Sequence, residues 1–416
     1  MTAIATVSTA ARFDVAVVGG GPAGLATALA FARRGVRTAL VLRAGPPQTD
    51  LRTAALFPSS VRFLDNLGVW RSCEQAAAPL RSIRILDDTS WLLKAPETVF
   101  EASEIGEPAL AWNVGNAALV AALSAACDGC ASLSRFASPG TPAYTQTPDH
   151  VCLRLSDETE ITACLVAAAD GRDSPLRAFA GIGTQRRTID QTALVTAFSH
   201  ARPHDNVSTE IHRDAGPLTT VPLPGNRSSL VWVERPRQAE RLAALGDVEF
   251  LDLLQRRLHG LLGRLSAIGP RMTFPLHWLE VDGFARDRVA LVGEAAHVLP
   301  PIGAQGLNLG FRDAADLAEA ALSHADPGAP QALAAYDRAR RADTLTRGLT
   351  VDLLNRSLEA GTLPLQLARG LGLFALKLSP ALKRAVMRHG AGGLGRPPSL
   401  MREPEILPPP ARQPPS

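Results

Sequence analysis

FDVAVVGGGPAGLATALAFARRGVRTALVLR, residues 13–43, is the stretch that decides the fold. Residues 14–18 form a short, β-rich apolar run, and Gly19, Gly21 and Gly24 then spell G-x-G-x-x-G. Leu25 to Arg34 repeats apolar residues at helical spacing, and residues 36–42 read as a second strand. Strand, tight turn, helix and strand in that order is the context a dinucleotide-binding unit requires. The first glycine permits the turn, the second lets backbone approach a pyrophosphate, and the third lets the helix pack on the sheet. The helix N-terminus offers unpaired amides and partial positive charge to the phosphates. The same string recurs as GAGGLG at residues 390–395. There it follows a helical stretch and no helix pattern follows it, so it reads as flexible tail. One fingerprint leaves the dinucleotide open between NAD and FAD. The acid that would end the second strand and bind the adenosine ribose is missing: Leu42 holds that position and Arg43 follows.

Two later segments narrow the choice. LVAAADGRDSPLR, residues 165–177, is a strand ending in Asp170-Gly171. LVGEAAHVLPPIGAQGLNLGFRDAADL, residues 291–317, is a strand ending in Gly293-Glu294, followed by a proline pair and a Gly-Ala-Gln-Gly turn that opens an amphipathic helix. With the N-terminal glycines and with DLRTAALFPSSVRFLDNLGVW, residues 50–70, they make the chain resemble the single-component, FAD-dependent aromatic hydroxylases. Within that family it is most similar to the ubiquinone-biosynthesis hydroxylases. The carriers are GAQGLNLGFRDAADL, PLPGNRSSLVWVERP and RGLGLFALKLSPALKRAVMRHG, and the resemblance runs over roughly residues 12 to 395. Two departures keep chemistry and size: Glu294 stands where the family usually has Asp, and Gly303-Ala304-Gln305-Gly306 stands for Ala-Gly-Gln-Gly.

The resemblance implies an α/β fold: a Rossmann-like FAD-binding domain, an inserted antiparallel-sheet substrate domain and a C-terminal helical segment. It implies bound FAD, with NAD(P)H as a transient reductant that docks without a second Rossmann unit. It implies hydroxylation of an electron-rich aromatic ring through a flavin 4a-hydroperoxide, the substrate being a polyprenylated phenol on the route to ubiquinone. The residues expected around the cofactor are Gly19, Gly21, Gly24, Arg43, Arg52, Asn116, Asp170, Glu294, Pro300 and Gln305. Gly306, Leu307 and Asn308 start the helix of the 291–317 segment, where free amides would stabilise negative charge on the flavin or its peroxide. Glu294 would accept hydrogen bonds from ribityl hydroxyls, and Ala295 and Ala296 are small enough for the cofactor to pass over them. Asn116 reads equally as a flavin neighbour or a helix cap. The chemistry is the cofactor's, so no catalytic acid or base is named, and His297 reads as a packing residue before a base. His204, His212 and His277 lack metal-like partners and read as surface or sheet histidines.

Composition agrees with a globular protein of two to three domains: 416 residues, 46% apolar and 20% charged. No run of apolar residues is long enough for a transmembrane helix, and residues 1–13 do not read as a signal peptide. CDGC at 127–130 lacks further ligands for a zinc site, and the five cysteines read as free thiols in a reducing cytoplasm. The FAD-binding domain is expected to be discontinuous, over 12–80, 105–185 and 275–330. Residues 81–104 and 186–274 would form the substrate domain, residues 331–390 a helical region and residues 391–416 a disordered tail.

Net charge is only +3, but residues 361–402 hold seven Lys or Arg and no acid. The stretch reads either as a helical cap packed on the FAD-binding domain or as a cap whose outer face also meets a partner, anionic membrane along 363–390 or another quinone-biosynthesis enzyme; the second reading gives a cytoplasmic protein that can sit on the inner face of the membrane. No nucleic-acid partner is expected. Two other readings stay open on the residues alone: a hydroxylase of a small soluble aromatic, and a non-catalytic flavin-binding assembly protein.

Overall fold

The computed structural model describes residues 11–45, 50–90, 94–301, 303–359, 372, 374, 378–392 and 396–403. Its first sheet is built on the strands read from the fingerprint. Ala11–Val18 lies between Thr38–Arg43 and Glu160–Ala168, and all three are parallel. Val289–Leu291 extends the parallel order beyond Glu160–Ala168, and Leu133–Ser138 extends it beyond Thr38–Arg43. Val15, Ala16 and Val17 are wholly buried, as are Leu165 to Ala168 and Val289 to Leu291. Strands covered on both faces need such continuous apolar runs. The helices Pro22–Ala32, Asn116–Asp128 and Gln305–Leu322 contribute to this core. Close approach explains the small residues between helices: a Cβ on Gly310 would stand 3.2 Å from Ala23 Cβ and 3.4 Å from Gly293 Cα.

The second sheet runs Thr184–His200, Arg227–Glu234, Leu218–Leu223, Val207–His212, Ser82–Asp87 and Thr98–Glu101, with Met272–Val281 on the outer edge of Thr184–His200. Its two faces differ. Leu194, Phe198, Ile211, Leu218, Leu230 and Trp232 pack beneath Leu242, Phe250 and Leu254 of the helices Pro236–Ala244 and Asp247–Arg257. Side chains alternate across a strand, so Val195, Glu210, His212, Thr219, Val221, Ser229 and Val231 share the opposite face. A small third sheet, Thr53–Leu56, Ala111–Gly115 and Ala77–Leu80, bridges the two large ones.

Two expected boundaries change. Met272–Val281 pairs antiparallel with Thr184–His200, so residues 275–281 belong to the substrate sheet and the FAD-binding part resumes near residue 282. The tail is not disordered throughout. Leu400 and Met401 are buried, Asn66 Nδ2 donates to the carbonyls of Leu400 (2.9 Å) and Arg402 (3.0 Å), and Ser399 N–H donates to Glu319 (2.6 Å). The low-complexity composition concealed two apolar side chains that dock on the FAD-binding domain. The C-terminal helical reading holds for Pro330–Glu359 and Pro380–Gly392.

Candidate active site

Gly19, Asp170 and Gly293-Glu294 follow the carboxyl ends of three adjacent parallel strands. That edge is where open α/β sheets bind ligands. Gly19 has φ +131°, and a Cβ there would lie 2.0 Å from the Ala169 carbonyl oxygen. Gly24 is held as tightly, 2.3 Å from Gly19 O, whereas a Cβ on Gly21 would meet nothing within 4 Å. The turn is closed on the protein side and open on the other. Gly21 caps the helix Pro22–Ala32 without any side-chain hydrogen bond, so the first-turn amides face that opening. Leu42 Cδ2 stands 3.0 Å from where a Gly20 Cβ would be, and Arg43, the last residue of the strand, is exposed.

A hub missed in the sequence is Asp50. Its carboxylate takes a bidentate contact from Arg52 (Nε 2.9 Å, Nη2 2.8 Å) and accepts from Asn116 Nδ2 (2.9 Å). Burial pushes the Asp50 carboxyl up, but the Arg52 and Asn116 hydrogen bonds outweigh it and hold it below the usual carboxylate range. Asn116 is therefore not a cap; Gly115 holds that place. Arg52 also lies over the Phe274 ring, 5.5 Å from its centroid, which joins the cluster to the substrate sheet. The Asp50 hydrogen bond raises the Arg52 guanidinium, against burial, and the charges of Asp50 and Glu294 add to this.

Glu294 projects from a single turn, Gly293–Ala295, between buried neighbours. The acid itself is half exposed, and Arg172 Nε lies 3.6 Å away. Arg177 fixes the floor, donating to Ala295 O (2.8 Å) and Arg172 O (2.9 Å). Burial raises the Asp170 carboxyl above its usual range. Asp170 Oδ1 and Asn116 Oδ1 are both buried with no protein partner. Two unpaired acceptors are what a chain of hydroxyl donors would satisfy.

After Glu294 the backbone crosses to the substrate sheet. Val298 exchanges hydrogen bonds with Leu279 (2.9 and 3.0 Å), and Leu299 packs near Trp278. Pro300 is buried, Gly303 and Ala304 both have positive φ, and the helix Gln305–Leu322 begins. Gln305 Nε2 donates to Gly303 O. A Cβ on Gly306 would meet nothing within 4 Å, so the helix N-terminus opens onto space there, and a helix's first turn presents its backbone amides outward. The Asn308 side chain is committed to a clamp. Its Oδ1 accepts from Phe57 N–H (2.9 Å) and Ser60 Oγ (2.7 Å), and its Nδ2 donates to Ala55 O and Ala304 O. It sets the helix start against the 55–60 segment.

His297 is no base in this geometry. It is 2% exposed, and its Nε2 lies 2.7 Å from Asp313 Oδ2. Asp313 also accepts from Gly293 N–H (2.8 Å) and Arg340 Nε (2.6 Å). Burial penalises the Asp313 anion, but His297 and Arg340 beside it hold its carboxyl below the usual range. This cluster braces the Glu294 turn from behind. Gly293, His297 and Asp313 lie in the segment 291–317; Arg340 comes from the next helix and carried no signal in the sequence.

The chain is similar to known proteins over nearly its whole length. The FAD binding domain family matches residues 12–346. A ubiquinone hydroxylase of Rhodospirillum rubrum, UbiL, is 35% identical over 94% of this chain and 92% of its own length. The 3-demethoxyubiquinol 3-hydroxylase of Escherichia coli is 29% identical over 91% of this chain and 98% of its own length. The crystal structure of p-nitrophenol 4-monooxygenase PnpA from Pseudomonas putida has the same fold, with TM-score 0.74 at 19% identity over 93% of this chain and all of that one. The open glycine turn, the unpaired buried acceptors and the two helix N-termini at Gly21 and Ala304 fit FAD, and this chain belongs to the FAD-dependent aromatic hydroxylases, whose usual reductant is NAD(P)H.

Proposed function

We propose that the chain hydroxylates the ring of a polyprenylated phenol on the route to ubiquinone. The observation that carries this is the pair of near-full-length relatives, one named for hydroxylating ubiquinone and one for hydroxylating demethoxyubiquinol. The substrate sheet suits such a molecule. Ile85, Val221, Val231, Met272 and Phe274 stand on the face away from the covering helices and remain partly open. FAD supplies the electron-transfer and oxygen-activating chemistry when bound. The protein's task is to hold and orient. The turn at Gly19–Gly24 and its helix amides cradle the pyrophosphate. Asp170 and Glu294 accept hydrogen bonds from hydroxyls of the cofactor chain. The N-terminus of Gln305–Leu322 places partial positive charge where negative charge develops on the ring system. The loop through Pro300 shields that space from water.

The test is NAD(P)H-driven oxygen consumption by the FAD-loaded protein, with and without a 2-prenylphenol, and mass analysis of the product. Stimulation with incorporation of one oxygen atom into the ring is expected. Stimulation by an unprenylated phenol alone would assign a small soluble substrate instead, and no turnover with either would leave a flavin holder.

Leu42 bears on the strength of FAD binding. A carboxylate in its place could accept from the adenosine ribose, a charged hydrogen bond worth about 1.5–3 kcal/mol. Leu42→Glu is expected to lower the FAD dissociation constant roughly tenfold or more, read by fluorescence titration of the apoprotein. An unchanged constant would mean another group already serves the ribose.

We also propose that the C-terminal helix rests on anionic membrane. No helix among the described residues is long and apolar enough to cross a bilayer. Phe374, Leu378, Leu382 and Val386 are exposed at intervals of four residues, and Arg388 is exposed beside them. Lys383 is less available than its sequence position suggests, because its Nζ pairs with Glu104 at 2.6 Å. Lys377 lies outside the described residues. Co-sedimentation with phosphatidylserine vesicles at low salt, lost at high salt, is expected. Leu382→Ser/Val386→Ser/Arg388→Gln should abolish it with FAD retained; equal sedimentation of the variant would leave the helix a packed cap.

A further inference from the structure

The open face of the substrate sheet carries one acid in a telling place. In register across the strands stand Ile85, Glu210, Thr219, Val231, Val195 and Met272. All but Val195 are partly open, and all but Glu210 and Thr219 are apolar. Phe274, beside Met272 on that face, sits under Arg52, and Ser229 Oγ lies 3.1 Å from Thr53 Oγ1. This face therefore looks toward the segment that follows Asp50, on the cofactor side of the molecule. A carboxylate in an apolar stripe needs a reason, because an unpaired charge there is costly. Glu210 has one buttress. His212, two residues on and on the same face, places Nε2 2.7 Å from Glu210 Oε1. The His212 side chain is 2% exposed and that of Glu210 15%. His212 Nδ1 is buried without a partner, so the tautomer that matches the contact carries its proton on Nε2 and donates to the carboxylate. Among the described residues no other hydrogen-bond donor to Glu210 is found, and its second carboxylate oxygen is left to the uncovered face of the sheet.

We propose that Glu210, oriented by His212, accepts the hydrogen bond of the substrate's phenolic hydroxyl. The inference rests on the polyprenyl-phenol reading above and goes beyond it by naming the group that recognises the hydroxyl. The apolar stripe receives the ring and the start of its side chain; Glu210 is the polar group that sets the ring's rotation. It also serves the reaction. A ring is more nucleophilic as its hydroxyl gives up its proton, and a positioned carboxylate can take that proton as the ring carbon bonds to the electrophilic oxygen that FAD, reduced by NAD(P)H, would supply from O2, the second oxygen atom leaving as water. Glu210 returns it to the same oxygen when the hydroxylated carbon releases its own hydrogen as a proton to solvent. His212 is a positioning residue: it does not touch the substrate, and it keeps one carboxylate oxygen engaged so that the other faces the cleft.

The experiment compares 2-geranylphenol with its methyl ether, which keeps size and apolarity and lacks the donor. Dissociation constants are read from perturbation of flavin absorbance in the oxidised, FAD-loaded protein without reductant. Wild type is expected to prefer the phenol by about tenfold to a hundredfold, the worth of one hydrogen bond to a charged group. Glu210→Leu should bind the two ligands within about twofold of each other, with FAD content unchanged. His212→Gln, which can still donate to Glu210, should keep most of the preference, and His212→Leu should lose most of it. Turnover in Glu210→Leu should fall in kcat beyond any change in KM, which loss of packing alone would not produce. If wild type binds phenol and ether equally, or Glu210→Leu retains the preference, the assignment of Glu210 is overturned while the substrate class stands. If wild type with FAD in place binds neither ligand, the substrate class falls and the role of Glu210 with it.

Discussion

Asp313→Ala is expected to destabilise the protein by about 3–5 kcal/mol, the usual result of removing one partner from a buried ionic cluster. Asp313 is completely buried and accepts from three groups: Gly293 N–H, His297 Nε2 and Arg340 Nε. Its loss leaves His297 and the Gly293 amide unpaired in a space that water does not reach. Arg340 would keep Asp316 (2.9 Å) and Asp343 (3.0 Å) and lose its shortest contact. The damage should also spread to the site, because the Gly293 amide anchors the turn that presents Glu294. Denaturant unfolding of the FAD-loaded protein reads the first effect and FAD retention on a desalting column reads the second. An exposed pair serves as contrast: Arg235 and Asp190 are 3.0 Å apart with both side chains largely in solvent, and Arg235→Ala should cost no more than about 1 kcal/mol. A comparably small loss for Asp313→Ala would show that the cluster does not brace the turn.

Gly19→Ala and Gly21→Ala should separate folding from cofactor binding although they lie two residues apart. At Gly19 an added methyl would stand 2.0 Å from a backbone oxygen at φ +131°. Neither the carbonyl nor the strand that carries it can move aside cheaply. Backbone strain and overpacking together are expected to cost about 2–6 kcal/mol, with poor soluble yield as the first sign. At Gly21 the same methyl meets nothing within 4 Å. The apoprotein should then keep its stability to within about 0.5 kcal/mol. FAD affinity should fall roughly tenfold to a hundredfold, because the methyl enters the space where phosphate must approach the helix amides. Thermal melts of the apoprotein and FAD titration give the two readouts. Normal FAD binding by Gly21→Ala would place the pyrophosphate elsewhere.

Short-range chemistry was legible from the chain alone. The glycine turn, its flanking strand and its helix lie within 30 residues, and each glycine there answers a local demand on φ or on the approach of backbone. The strand ends at Asp170 and Gly293, and the small residues after Glu294, could be read the same way, so the FAD-binding fold, the cofactor and the enzyme family followed from sequence. What depends on long-range packing could not be read. Asp50 is an ordinary acid until strand pairing brings Asn116 beside it. His297 is a tempting base until folding buries it against Asp313, and Arg340 until then is one arginine among many. Leu400 and Met401 look like tail until they meet a surface to bury them. Glu210 and His212 show the reason most directly. Period-two alternation puts them on one face of a strand in any fold, but which face the helices 236–257 would cover, and which would stay open toward the cofactor, was decided only when the sheet acquired its layers.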